Sequence, residues 1–282
     1  DNHIALQRAY DDVIETYECN YDYDDKLLGR NVTVYYNKKD EVVVYMALNK
    51  KDECLAEING ADFVGFDMNE RKLYYQKIKS GSRWEKTYKT VSEKIPVNVD
   101  IIYNGQFTLE HSYVYNILSG NSTLNIGNIS VYDIDGDSKI DLIKVDVYRD
   151  ILVESVNETE KTISDAITGK RVILDGDEID GIVKIKDSSG EDLKLSAIKR
   201  NDVISMYSGR GTNPLIKIVV STSIKNEYLV SRYEKDGREY VETQNIHYLI
   251  SEDLIAARES FSLGKEYKLY LDHLGCIVKM EE

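Results

Sequence analysis

Four aspartates stand within nine residues, at Asp133, Asp135, Asp137 and Asp141, in the stretch "VYDIDGDSKIDLIKV" (131–145) of a chain whose formal charge is −14. Like charges held this close repel one another unless a cation neutralises them. The spacing D-x-D-G-D-x-x-x-D sets carboxylates at the first, third, fifth and ninth positions of a loop. The backbone carbonyl of the seventh, Lys139, is expected to point inward with them. Hard oxygen donors in a tight loop suit Ca²⁺, which takes roughly six to eight of them. Gly136 relieves crowding where the backbone must curl round the ion. The expected metal ligands are therefore Asp133, Asp135, Asp137 and Asp141 through their carboxylates and Lys139 through its carbonyl, with Asp146 or water as filler.

This is not an EF-hand. Ser138 stands where that motif needs glycine, and Lys144 where it needs a bidentate glutamate. The flanks "NISVY" and "DLIKVDVY" are strands, so the expectation is a calcium-stapled β-hairpin of weak, extracellular-type affinity. The competing reading is a solvated turn without metal, because aspartate is a favoured turn residue. A second acidic run, "LDGDEID" (174–180), lacks the spacing and reads as a plain turn.

Nothing comparable assembles a catalytic set. His3, His111, His247 and His273 include no H-x-x-x-H pair, and there is no G-x-S-x-G elbow or P-loop. "SGRGTN" (208–213) is glycine-rich but lies between two strands, so it reads as a turn and not as a phosphate cradle. Cys19, Cys54 and Cys276 are too few and too scattered for a disulfide framework or a zinc site, and read as small core residues. Asn-x-Ser/Thr sequons at Asn31, Asn121, Asn128 and Asn157 read as chance occurrences. Tyrosine clusters such as "YECNYDY" (17–23) could stack on sugars, although packing on strand faces is their commoner use.

The elements that must position the loop are strands. "NVTVYY" (31–36), "EVVVYM" (41–46), "NVDIIY" (98–103), "GIVKIK" (181–186), "DVISMY" (202–207), "PLIKIVV" (214–220), "YKLYL" (267–271) and "CIVKM" (276–280) are rich in β-branched and aromatic residues. "NKKD" (37–40) is expected to turn the first hairpin. Residues 4–12 are ambiguous between helix and strand, and 13–23 read as strand. "SEDLIAAR" (251–258), with Ser251 as N-cap, and "SAIKR" (196–200) are the helical candidates. "LGRNVTVYYNKKDEVVVYM" (28–46) and "LGKEYKLYLDHLGCIVKM" (263–280) resemble one another as hairpins. A lone hairpin cannot bury its own apolar face, so such a repeat predicts several small sheets.

Composition narrows the partners. Fifty acidic against 36 basic residues disfavour nucleic acid and anionic membrane surfaces, and no apolar run is long enough for a transmembrane helix. Twenty-two tyrosines against 4 phenylalanines and 1 tryptophan suit half-buried strands. The chain opens "DNHIALQRAY", without initiator methionine or leader, as a mature or excised product would.

"LLGRNVTVYYNKKDEVVVYMALNKKDE", "VDIIYNG", "VYDIDGDSKIDLIKVDVYRDILVESVNETEKTI", "LSAIKRNDVISMY" and "LGKEYKLYLDHLGCIVKMEE" together resemble the β-rich regions of clostridial S-layer homology (SLH) domain-containing surface proteins. The resemblance is one of order and spacing over roughly residues 20 to 282. It implies an extracellular, cell-surface location and a non-enzymatic role. The chain departs from that family's loop, "DNDGDGKYD", at Ser138, and its last hairpin carries His273 and Cys276. The wall-gripping SLH repeats themselves are not in this sequence.

The expected fold is mainly β, in small antiparallel barrel or sandwich modules built from repeated hairpins. The expected modules are 1–48, 49–149 with the acidic loop, 150–222, and a barrel-like 223–282. The expected function is that of a calcium-stiffened structural component of a surface layer or filament that self-associates. The alternative is a cell-wall polysaccharide-binding or accessory module of a larger surface hydrolase.

Overall fold

The computed structural model describes residues 3–7, 14–19, 27–37, 42–81, 86–120, 122–174, 183–210, 214–235, 237–244, 246–257 and 261–282. The "NKKD" turn beyond Asn37, most of "YECNYDY" after Cys19, the end of "SGRGTN" and the second acidic run beyond Leu174 lie outside them. The fold is mainly β, as the alternation of apolar residues predicts, and is divided among several sheets. Among the described residues no sheet closes into a barrel.

The chain begins with two hairpins, β1 (His3–Gln7) with β2 (Ile14–Glu18) and β3 (Val32–Asn37) with β4 (Val42–Leu48). Of the segment 4–12, whose sequence fits helix and strand equally, residues 4–7 are strand and the rest lies outside the described residues. Ile4, Cys19, Val43 and Met46 form a small core between the two hairpins, joined by a bridge from Cys19 to Val43. Next come β5 (Glu53–Asn59), then a three-stranded sheet of β6 (Phe63–Asp67), β7 (Lys72–Gly81) and β8 (Lys86–Lys94).

The largest sheet is organised by one long strand. After β9 (Asp100–Tyr103), β10 (Gln106–Phe107) and helix α1 (His111–Leu118), β11 (Asn125–Asp133) turns through the aspartate loop into β12 (Leu142–Asn157). The first half of β12 pairs with β11 on one side and, in parallel, with β9 on the other. Its second half pairs with β13 (Thr162–Asp165) and β16 (Val203–Ser208); β14 (Arg171–Ile173), β15 (Val183–Asp187) and β17 (Ile216–Ser221) complete the sheet. Two apolar cores follow. Ile58, Leu73, Ile101, Val114, Ile129 and Val145 fill the first, and Val153, Ile163, Ile204 and Ile218 the second. β12 runs straight through residues 149–151, where the sequence suggested a module boundary, so the backbone there is a strand shared by both cores.

The last sheet is β18 (Ile224–Lys235), β19 (Arg238–Thr243), β20 (His247–Leu249), β21 (Glu266–Leu271) and β22 (Ile277–Glu281). It runs in the order β20-β19-β18-β21-β22 as an open sheet, not the barrel expected for 223–282. Helix α2 (Glu252–Ala257) packs on it through Leu254, with Ser251 buried immediately before the first turn, as the sequence reading placed it. The second helical candidate is a single 3₁₀ turn, Leu195–Ala197.

Candidate functional site

The hairpin β11–β12 brings the aspartates together. Tyr132 pairs with Leu142, and Asp141 N–H donates to the Tyr132 carbonyl at 2.9 Å, which closes the loop at its neck. Asp133 is the anchor and is only 4% exposed. Its Oδ1 accepts from Gly136 N–H at 2.6 Å and its Oδ2 from Ser138 N–H at 2.7 Å, so one carboxylate organises the whole turn. Asp141 Oδ2 accepts from Ile134 N–H at 2.8 Å, and Asp135 Oδ1 from Asp137 N–H at 3.0 Å. Gly136 (φ 84°) and Ser138 (φ 66°) take left-handed backbone conformations. The serine adopts there the conformation that glycine adopts without cost.

Carboxylate oxygens of Asp133, Asp135 and Asp141 lie within 4.8 Å of one another, a group that could hold a metal ion. Asp137, also expected as a ligand, lies outside that group. Its carboxylate takes the Lys139 N–H at 2.8 Å and the Lys139 ammonium. The contacts of Lys139 are thus those of its own donors with Asp137, and that ammonium holds the Asp137 carboxyl below its ordinary range. Asp141 is shifted the other way. Burial, the largest cause, raises its pKa; the hydrogen bond from Ile134 N–H opposes this, and the charges of Asp135, Asp133 and Asp137 add to the rise. The loop therefore carries unrelieved negative charge, and a divalent cation among the three oxygens would relieve it.

The loop is braced from behind by the two segments that flank the second hairpin. Arg30 forms a buried ion pair with Asp52, and its guanidinium lies 3.9 Å from the Tyr132 ring centroid. Asp52 also accepts from Asn31 N–H, and Asn31 Nδ2 donates to the Ile134 carbonyl at 3.3 Å. A methyl group built on Gly136 would meet Lys51 Cβ at 3.2 Å, so loop and brace are in close contact.

A second polar cluster is buried between the large sheet and the last hairpin. Asp272 accepts from the Tyr148 hydroxyl at 2.7 Å and from the N–H groups of Leu274 and Cys276, each at 2.8 Å. Asp150 accepts from Ser205 at 3.1 Å and from Asn125 Nδ2 at 2.9 Å. His273 lies 2.8 Å from both Ser205 Oγ and Tyr207 Oη. With the Ser205 proton directed to Asp150, the serine oxygen accepts from Nδ1–H and Nε2 accepts from Tyr207. Burial lowers the His273 pKa, with Lys217 reinforcing that and Asp272 opposing it, and raises those of Tyr148, Tyr207 and Cys276. The set contains serine, histidine and aspartate, but the serine stands between the other two and is fully buried. A nucleophile would need the base in the middle and access to substrate.

Sequence reasoning missed this cluster because its members are scattered from residue 125 to residue 276. Cys276 is buried within it and Cys19 is buried in the small core between the first two hairpins, as expected, but Cys54 is exposed on β5, which among the described residues pairs on one edge only. Of the other histidines, His247 contacts the Tyr233 hydroxyl at 3.1 Å and His111 packs against Tyr115. No helix is long and apolar enough to cross a membrane among the described residues. No family model matches the chain, and neither curated proteins nor solved structures give a match.

Proposed function

We propose that this chain is a non-enzymatic, β-modular structural component of a bacterial cell surface, stiffened by Ca²⁺ at the 133–141 loop and assembling with copies of itself. The observation that carries the reading is the convergence of Asp133, Asp135 and Asp141 within 4.8 Å on a braced hairpin. Extracellular millimolar calcium matches a site that lacks the twelfth-position carboxylate. The surface location rests on the resemblance to SLH-domain proteins. A metal that binds the folded chain alone raises stability by mass action, by about 2.7 kcal/mol at a hundredfold excess over Kd. The test is a thermal melt in EDTA and in millimolar calcium for the parent and for Asp135→Ala. The parent melts higher in calcium, magnesium substitutes poorly, and the variant loses the response. Equal melting temperatures for the parent in both buffers would return the loop to a solvated turn. A hydrolase panel is expected to be blank.

One observation favours a second reading, a wall-glycan-binding module. Tyr35 and Tyr45 face one another across β3–β4 at 5.9 Å, 56% and 58% exposed, an aromatic pair on which sugar could stack. Retention of the chain on purified wall glycan, lost in Tyr45→Ala, would support it.

A further inference from the structure

The hairpin β7–β8 is a basic segment of an acidic chain. Seven of the 36 basic residues but two of the 50 acidic ones fall in residues 72–94, so this segment carries +5 and the remainder −19. Its base is built into the body. Leu73 and Tyr75 are buried in the first core, and β6 pairs with β7 as far as Tyr75. Beyond that point β7 has, among the described residues, only β8 for a partner, paired through a bulge between Ile78 and Ser80 as far as Gly81 opposite Lys86. At about 3.3 Å per residue the ribbon continues roughly 20 Å past its last contact with β6.

Two features of this outer ribbon call for a partner. Lys77 and Lys89 are exposed and directly opposed across it. Like charges in that position destabilise a strand pair. Among the described residues no hydrogen bond or ion pair relieves either one, whereas the equivalent pair at the base, Lys72 and Lys94, has Glu70 bonded to Lys72 at 2.6 Å. Both outer edges also leave backbone N–H and C=O groups without a strand to pair with among the described residues. Free strand edges fit a polypeptide better than a phosphate polymer or a glycan.

The same chain holds a complementary surface. Among the described residues β5 is an edge strand of the large sheet, paired with β11 alone, and Glu53 and Glu57 are exposed along it. We propose that the outer β7–β8 ribbon is an assembly arm that docks on the β5 edge of a second copy, lysines 77 and 89 meeting glutamates 53 and 57. The inference rests on the assembly reading above and names its interface. Arm and edge are different surfaces, so the contact is head-to-tail and propagates into a filament or ring instead of stopping at a two-fold dimer.

The test is sedimentation velocity across a concentration series at 50 mM and 500 mM salt. The parent associates at low salt and at least tenfold more weakly at high salt, because exposed pairs are screened. Lys77→Glu with Lys89→Glu abolishes association, as does Glu53→Lys with Glu57→Lys, and mixing these two variants restores it. A parent that stays monomeric would remove the assembly reading and this inference together. A parent that associates equally well with the arm reversed would leave assembly standing and overturn the arm. Binding of polyphosphate by the parent, lost on arm reversal while self-association is unchanged, would assign the arm to a polyanion instead.

Discussion

In the loop at 133–141, carboxylates face one another and are held from outside by backbone N–H groups. Around Tyr148 and His273, carboxylates face hydroxyls, an amide and backbone donors, and each charge is spent inside the protein. Asp272 accepts from the Tyr148 hydroxyl and two backbone N–H groups, and Asp150 from Ser205 and Asn125. The difference lies in what each set still lacks. The buried cluster is complete, since buried polar groups are tolerable only when paired. The loop is preorganised but electrostatically unfinished, with Asp141 raised first by burial and further by its acidic neighbours. A complete network fixes one structure, whereas an unfinished one is where an added ion can change stability.

The largest expected effect breaks the completed side. Asp272→Ala strands the Tyr148 hydroxyl and the Cys276 N–H in a buried site and also removes the acceptor of Leu274 N–H, at a half-exposed residue. Buried donors left unpaired cost about 1–3 kcal/mol each, so a total loss of at least ~2 kcal/mol is expected in urea unfolding, with or without calcium. A loss under 1 kcal/mol would show that the cluster admits water and is not the closed network described. The loop should respond differently. Asp133→Ala removes the acceptor of Gly136 and Ser138 and should abolish the calcium response, while Asp137→Ala, whose carboxylate is already bound to Lys139, should keep most of it. Equal loss in both variants would mean that Asp137 turns inward to the ion, as its spacing first suggested.

The two regions also respond oppositely to pH. The His273 pKa is lowered in the fold from its ordinary 6.5, so the unfolded chain binds the extra proton first. Its contribution is complete above that value and is lost as pH falls through and below it. Charging the ring would put a donor against the Tyr207 hydroxyl, with Asp272, Asp150, Lys217, Cys276 and Tyr148 as the other ionisable neighbours. Asp141 is raised, so without metal its proton is held longer in the fold, and stability falls as pH rises from its ordinary 3.8 to the raised value. In melts from pH 4 to 8 in EDTA the parent should show both slopes, and His273→Gln and Asp141→Asn should each lose one of them. Retention of the slope below pH 6.5 in His273→Gln would move it to other groups.

The loop was legible because everything that makes it is local: an Asp-Gly turn, carboxylates at fixed offsets, β-formers on both sides. The last helix was legible from its serine cap. Helix α1 was not, since "HSYVYNIL" carries the β-branched and aromatic residues of a strand; it is helical because Val114, Tyr115, Ile117 and Leu118 share one buried face. The length of β12 was hidden for a related reason. Arg149 and Asp150 look like a polar break, but Asp150 is 4% exposed and is satisfied by Asn125 and Ser205 from other strands. No spacing rule reveals a buried charge whose partners lie 25 and 55 residues away.

The smallest expected effect sharpens the loop itself. Ser138 sits at φ 66°, in the left-handed region, and its N–H serves Asp133 while its side chain takes no part in the metal group. Glycine would keep that N–H and remove the clash of Cβ with the backbone, but would also give the unfolded chain more freedom. The first gain exceeds the second where the native backbone is left-handed, so Ser138→Gly should stabilise the metal-free protein by up to about 1 kcal/mol. It should leave the shift caused by calcium unchanged, because the three converging carboxylates are untouched. Urea unfolding in EDTA and in calcium separates the two quantities. A calcium shift that grows with the substitution would mean that the serine had been holding the loop away from its ion-binding shape, and that the aspartates are less preorganised than their hydrogen bonds to Gly136, Ser138 and Ile134 indicate.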